Sequence, residues 1–230
     1  MAKGEDIAIR PLTNESEFRD AVELQKLIWG FDEIELLPVR LFVVATKIGG
    51  QAYGAFDGDR MVAFCLAIPG MKPGPKPYLH SHMLGVMDGY RDHGIGRRIK
   101  MLQKEDALAR GIDLIEWTFD PLEIKNAWFN IERLGAVVRR YVRNQYGTTT
   151  SHLHGGLPTD RCVAEWWIAS ERPSNPEILA RVEVPDKADA TREVQARIAS
   201  EFENAFARGL QVVGVERRTN GGAYLFGAIA

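Results

Sequence analysis

The chain has 230 residues, 45% of them hydrophobic and 26% charged, with 29 Lys plus Arg against 31 Asp plus Glu and a formal net charge of -2. Those fractions are globular averages, which excludes a disordered or low-complexity chain, and the length suits one large domain or two small ones with a sizeable core. The near balance of charge argues against the basic face that nucleic acid or an anionic membrane requires, so neither is an expected partner.

Residues 7–10, Ile-Ala-Ile-Arg, read as a short strand. A helix follows over about 15–29, with Phe18, Val22 and the run 24–28 on its apolar face. Pro38 opens a second helix at its first position, and Gly49-Gly50 ends it. Residues 52–56 and 61–68 form a hairpin turned by Asp57-Gly58-Asp59. A proline-rich loop at 69–77 precedes a strand at 78–87. The segment 89–96 leads into a helix through Arg110, where Ile95, Ile99, Leu102 and Ala109 share a face and Gly111 is the stop.

Residues 113–119 are a buried strand, Asp120-Pro121 turns the chain into a helix ending near Gly135, and 136–142 is another strand. Beyond a polar loop at 144–160 come strands at 162–168 and 178–184 and a helix at 191–208. Strands at 211–217 and 223–229 follow, turned by Asn220-Gly221-Gly222. The order predicts a mixed α/β fold. The segment after residue 145 is too short for a large core of its own and is expected to complete or flank the first sheet.

Cys65 and Cys162 both fall in apolar runs, as buried reduced thiols do, and neither belongs to a CxxC zinc motif. The amino terminus is charged and has no apolar signal core, and no run of about 18 apolar residues occurs. The expected location is the cytoplasm.

The strongest local signal is Arg91-Asp92-His93-Gly94-Ile95-Gly96-Arg97-Arg98, between a predicted strand and a predicted helix. Glycines at 94 and 96 let backbone amides approach a ligand and permit positive φ. A helix start supplies unpaired N–H groups and the positive end of the macrodipole, and Arg97 and Arg98 add charge beside it. Physically this is a pyrophosphate cradle. The plainer alternative is a Gly-rich helix entry with solvated arginines. The segment is not GxGxxG, and no GxxxxGK[ST] occurs, so dinucleotide and P-loop readings lose support.

Arg-x-x-Gly-x-Gly after a strand ending Met83-Leu84-Gly85-Val86 resembles motif A of the GNAT superfamily, the acyl-CoA-dependent N-acyltransferases. The predicted element order is similar to that fold from Ile7 to Val142. The resemblance implies a mixed central sheet flanked by helices in residues 1–145. Residues 146–230 would form a C-terminal β-α-β-β extension that completes the sheet and closes the acceptor pocket. It further implies that acetyl-CoA or another acyl-CoA is the co-substrate, its pyrophosphate held by the amides of Asp92, His93, Gly94, Ile95, Gly96 and Arg97 beside Arg91. Leu84, Gly85 and Val86 would pair with pantetheine, and Leu84 N–H would polarise the thioester carbonyl. Asn126 and Asn130 are the candidates for the helix asparagine near the pantetheine arm.

An attacking amine must lose a proton, because α-amino groups titrate near ~8 and lysines near ~10, and a positioned base contributes about 10²–10⁴-fold. His80 and His82 alternate along one strand, so a period of two turns both imidazoles to one side. Residues 79–86 also resemble the strand of arylalkylamine N-acetyltransferases, where two histidines at this spacing relay the amine proton. The alternative is a strand with two satisfied, partly buried histidines. Glu116 on the next strand is the second-choice base. Many GNAT enzymes carry a tyrosine as thiolate acid where this chain has Ile131, which leaves Tyr141, Tyr146 or an unaided leaving group.

His152-Leu153-His154 forms a second His-x-His, which makes a metal-dependent enzyme a rival reading, although no Asp or Glu stands at obvious ligand spacing beside either pair. Arg139, Arg140, Arg143 and Arg161 cluster in sequence, and arginine binds carboxylates bidentately. That pattern suggests an acceptor or acyl group bearing a carboxylate, an amino acid or a succinyl donor, with Arg161 and His154 on the substrate; the alternative is a solvated surface face. The stretch from Phe119 to Arg161 is similar to a GNAT subgroup, some of whose members are thought to acylate amino acids beside racemase-type enzymes. The expected function is therefore direct acyl transfer from CoA to a small-molecule amine. A non-catalytic acyl-CoA sensor is the other rival, and a homodimer is compatible with the sequence.

Overall fold

The computed structural model describes residues 7–72, 74, 76–147, 149–150, 156–170 and 175–228. Two compact units divide the chain, Met1–Ile115 with Thr150–Gly155 and Glu116–Thr149 with Gly156–Ala230, so the division falls inside a strand rather than at residue 145. The architecture is α/β, strands of a mixed sheet with helices packed on them, as the sequence predicts. Among the described residues no helix is long and apolar enough to cross a membrane.

In the first unit, β1 (Ala8–Pro11), β2 (Gln51–Asp57), β3 (Arg60–Met71) and β4 (Pro77–Val86) are neighbours in that order, each pair antiparallel. Strand β3 runs three residues beyond the expected 61–68, because Pro69, Gly70 and Met71 still pair with Leu79, Tyr78 and Pro77. The prolines there lie toward one end of the ladder, where proline's missing N–H is tolerated. Helices α1 (Glu15–Trp29) and α2 (Val39–Lys47) cover one face of these strands. Asn14 caps α1 by accepting from Glu17 N, and Gly30 ends it in a left-handed conformation. Pro38 is the N-cap of α2 rather than its first helical residue.

Phe18, Leu24, Phe42, Phe64 and Leu66 form the core under α1 and α2. The opposite face is covered by α3 (Ile95–Ala109), whose Ile95 and Ile99 pack with Val62, Ala63 and Cys65. The buried stripe of α3 is Ile95, Ile99, Lys100, Gln103 and Ala107, whereas Leu102 is half-buried and Ala109 exposed. The expected apolar face is thus rotated, and it carries a lysine and a glutamine.

In the second unit the strand order is β5 (Leu114–Phe119), β7 (Arg161–Trp167), β6 (Val137–Val142), β9 (Leu210–Arg218), β10 (Gly221–Ala228) and β8 (Ala180–Val184). Strand β7, from beyond residue 145, therefore lies between β5 and β6. The helix expected over 122–134 is one turn of α4 (Ile124–Trp128) continued as a π-helical turn, Phe129–Arg133. Helix α5 (Arg192–Ala207), capped by Thr191, brings Phe202 against Tyr141, Tyr224 and Phe226 at ring-centroid distances of 5.4, 4.9 and 5.1 Å. Cys65 and Cys162 are buried free thiols, as expected.

Phe202 is fully buried at the hub of this aromatic cluster. Phe202→Ala is expected to lower unfolding free energy by about 3–5 kcal/mol, read from the urea midpoint at unchanged slope.

Candidate functional site

Strand β4 organises the site in the first unit. Its register with β3 pairs Leu66 with Met83 and Ala67 with Ser81, so His82 is one extra residue, a β-bulge. The bulge reverses the strand's alternation. Before it, Ser81 faces α3, where its Oγ meets Lys100 Nζ at 2.7 Å and Gln103 Oε1 at 3.2 Å, and His80 lies opposite Ile68, which packs on the α1–α2 core. After it, Met83 and Gly85 face that core, and Leu84 and Val86 face α3. A Cβ at Gly85 would stand 2.6 Å from Trp29 Cη2, so only glycine fits beneath α1.

Strict alternation would have put His80, Leu84 and Val86 on one face; the bulge separates them. It leaves the two imidazoles together, with ring centroids 5.7 Å apart. Both are half-buried, and burial holds His82 below the usual histidine range, which favours the neutral ring. Met87 N donates to Val62 O on β3 at 2.9 Å, while Val86 O accepts from Arg91 Nε at 3.2 Å. Because successive peptide groups alternate in direction, the N–H groups of Leu84 and Val86 point away from β3.

The loop from β4 to α3 is tied down at its base. Tyr90 is buried and donates to Asp57 Oδ2 at 2.6 Å, and Arg91 adds an ion pair to Asp88 at 2.9 Å. Asp92 and Gly94 adopt φ of 66° and 76°. Gly94 is the left-handed N-cap of α3, and the nearest atom to a Cβ on Gly96 would be Leu84 Cδ2 at 3.7 Å. His93 and Arg97 are exposed beside this turn, whereas Arg98 is anchored by donating to Ile7 O at 2.7 Å. The result is a run of α3 amides at a helix start with cationic side chains at its rim, the geometry that accepts a pyrophosphate.

Glu116, Asn126, Asn130 and Arg161 belong to the second unit. Glu116 is buried and ion-paired with Arg140, which also reaches Glu165 Oε1 at 3.3 Å. Glu165 binds Arg139 at 3.2 Å, and Arg139 Nε donates to Gln211 Oε1 at 2.8 Å. Glu116 is thus tied into an ion-pair network with Arg140, Glu165 and Arg139. Arg139, Arg140 and Arg143 are all paired with carboxylates of the chain, Arg143 with Glu203 at 2.7 Å, so they do not form an acceptor cluster.

The Arg161 guanidinium lies 5.3 Å over the Tyr146 ring and donates to Asp160 O at 3.2 Å; burial lowers its pKa from the usual arginine value, and the nearby carboxylates of Asp120 and Asp160 oppose that fall. Tyr146 OH lies 2.9 Å from Thr118 Oγ1. At Tyr141, burial first, and then its 2.7 Å bond to Asp160, raise the pKa well above the usual tyrosine value. Asn126 is exposed, and Asn130, 2% exposed, donates to it at 3.4 Å from the π-helical turn. Ile131 is fully buried core. His152 and His154 lie outside the described residues, among which no group of three or more metal-ligating side chains stands together.

Sequence reasoning passed over Lys100, which is 2% exposed and whose burial drives its amine down to about 7. The signal was a lysine one residue after Ile99, on the buried side of α3. The unfolded chain holds its proton up to about 10.5, so the burial cost is fully present below pH 7 and is relieved as pH rises from 7 toward 10.5. Lys100→Met is expected to raise the Tm at pH 7, with the gain shrinking in melts toward pH 10.

No family model matches the sequence, and no curated protein is close enough to count as a match. Solved structures do match. The ribosomal-protein-S18-alanine N-acetyltransferase of Escherichia coli is 15% identical at a TM-score of 0.54, covering 76% of this chain and 99% of its own. Aminoglycoside 6'-acetyltransferase type Ii is 21% identical at 0.55, over 72% and 99%. A GNAT family acetyltransferase from Elizabethkingia anophelis with acetyl-CoA bound is 12% identical at 0.51, over 71% and 99%. The chain therefore has the fold of the GNAT acetyltransferases.

Proposed function

We propose that this protein transfers an acetyl or other short acyl group from CoA to the amine of a small molecule by direct attack. The observation that carries the reading is the helix start of α3, entered through positive φ at Asp92 and Gly94, directly after a strand whose Leu84 and Val86 amides point away from β3. Phosphate oxygens need donors at a helix start, and an extended pantetheine needs in-plane strand amides. Likeness to acetyltransferases supports the acyl donor.

In this reading His82, neutral at pH 7, takes the proton of the incoming ammonium, with His80 beside it in the relay. Leu84 N–H stabilises the oxyanion that forms as nitrogen attacks the thioester carbonyl. As the C–S bond breaks, the CoA thiolate leaves and takes up the second proton that nitrogen sheds; Ile131 offers no acid at the position where many GNAT enzymes have a tyrosine. Both cysteines are buried, which fits transfer without an acyl-enzyme. For Arg161, its half-buried place over Tyr146 suits the carboxylate of an amino-acid acceptor or a succinyl donor.

Calorimetry with CoA is expected to show one binding site, and an amine panel of both amino-acid enantiomers against acetyl- and succinyl-CoA is expected to release thiol. Binding without thiol release from any acceptor would leave a sensor of acyl-CoA. His82→Ala is expected to lower kcat about 10²–10⁴-fold, and the acid limb of the wild-type kcat profile to fall below pH 6.5. Arg161→Lys is expected to raise KM for a carboxylate-bearing substrate about tenfold while leaving KM for neutral amines unchanged.

A further inference from the structure

We propose that Lys100 is a positioning residue. By clamping Ser81 from behind the sheet it fixes the β4 register in which His82 is the extra residue, and so sets the base and the Leu84 amide for the acyl transfer proposed above. The clamp is local and buried. Lys100 Nζ lies 2.7 Å from Ser81 Oγ, and Ser81 Oγ donates to Gln103 Oε1 at 3.2 Å. One turn of α3 thus grips the residue immediately before the bulge. Gln103 is itself held, because its carbonyl accepts from Gln51 Nε2 at 3.0 Å, and the same amide donates to Asp106 Oδ2 at 2.6 Å.

Sequence alone permits a second register. Without the bulge, His82 would pair with Ala67 and Ser81 with Ile68, and every residue of the strand from Pro77 to Ser81 would change face. Ser81 would then turn its hydroxyl toward the apolar core of Phe42, Phe64 and Leu66, and His82 would lie over the buried amine of Lys100. The Ser81 placement buries a hydroxyl without a partner and removes the oxygen that accepts from Lys100, which costs free energy. In the bulged register the hydroxyl and the amine satisfy each other. The buried lysine therefore discriminates between registers, although it stabilises the fold less than an apolar residue would.

The clamp acts on the strand, while the α3 cradle begins at Ile95, a turn and a half earlier on the same helix. Its loss is expected to fall on kcat more than on KM for the acyl-CoA. The experiment compares Lys100→Met, Ser81→Ala, the hydroxyl-retaining Ser81→Thr and the double variant Lys100→Met/Ser81→Ala, each in the full chain. The first readout is NMR, the titration of His82 together with hydrogen exchange of the β4 amides, and it does not depend on acyl transfer. Lys100→Met and Ser81→Ala are expected to move the His82 midpoint up toward 6.5 and to speed β4 exchange at least tenfold. Ser81→Thr is expected to keep both near wild type, and the double variant to match the single ones.

The second readout is steady-state kinetics, with kcat expected to fall on the order of 10–10²-fold and KM for acyl-CoA to change less than about twofold. His82 titration and β4 exchange unchanged in both single variants, or additive effects in the double variant, would overturn the clamp. If Lys100→Met does not fold, Ser81→Ala and Ser81→Thr decide the matter by the same readouts. A wild-type protein that binds CoA yet releases no thiol overturns the proposed function, and the NMR arm still passes or fails the clamp.

Discussion

Between Ser81 and Met83, strand β4 has one residue more than β3 opposite it, and the facing of the strand reverses there. That reversal lets one strand serve three directions. The imidazoles of His80 and His82 share the α1–α2 side, the side chains of Leu84 and Val86 seat α3, and their amides point along the sheet away from β3. A regular strand would put His80 and His82 on the face of Leu84 and Val86, and α3 would meet imidazoles in place of Ser81. Gly85 completes the arrangement, because the empty space of its missing Cβ is filled by Trp29 and Ile28 and locks α1 down on the same strand.

The loop that follows inherits its position from this strand. Left-handed φ at Asp92 is unfavourable for a residue with a Cβ, so the conformation persists only if the surroundings fix it. Tyr90 on Asp57 fixes it from the hairpin side, and Arg91 on the Val86 carbonyl fixes it from the strand side. In the proposed function such a preset loop would suit an anion, because preorganised donors need not reorient. The same economy appears at Lys100, where a buried amine is tolerated because Ser81 and its strand need a fixed partner.

Helix α1, the β2–β3 hairpin, the glycine-rich entry to α3 and the last two strands were legible because each carries a local signal: the apolar face through Phe18 and Val22, the Asp57-Gly58-Asp59 turn, Gly94 and Gly96, and the Asn220-Gly221-Gly222 turn. The cradle could be read because its chemistry resides in a contiguous segment. Features set by pairing between distant residues were not legible. The His82 bulge is defined only against Ala67 and Leu66, and the interposition of β7 between β5 and β6 only by the sheet. The polar stripe of α3 was missed because Lys100 and Gln103 interrupt the apolar repeat that marks a buried face, and their partners Ser81 and Gln51 lie on two other elements.

Arginine was the least readable of all, and for an electrostatic reason. Arg139, Arg140, Arg143 and Arg161 look alike along the chain, yet what each does depends on which carboxylate the fold brings to it. Glu165 and Gln211 take Arg139, Glu116 takes Arg140, Glu203 takes Arg143, and those pairs are separated by 24 to 72 residues. Three guanidinium groups thus cross-link elements of the second unit, and their charge is already met within the protein. Arg161 stacks on a tyrosine face and donates to a carbonyl oxygen, with the carboxylates of Asp120 and Asp160 in its field. The near-neutral sum of 29 basic and 31 acidic side chains therefore says little about how charge is used, because what matters is which carboxylate the fold brings to each cation.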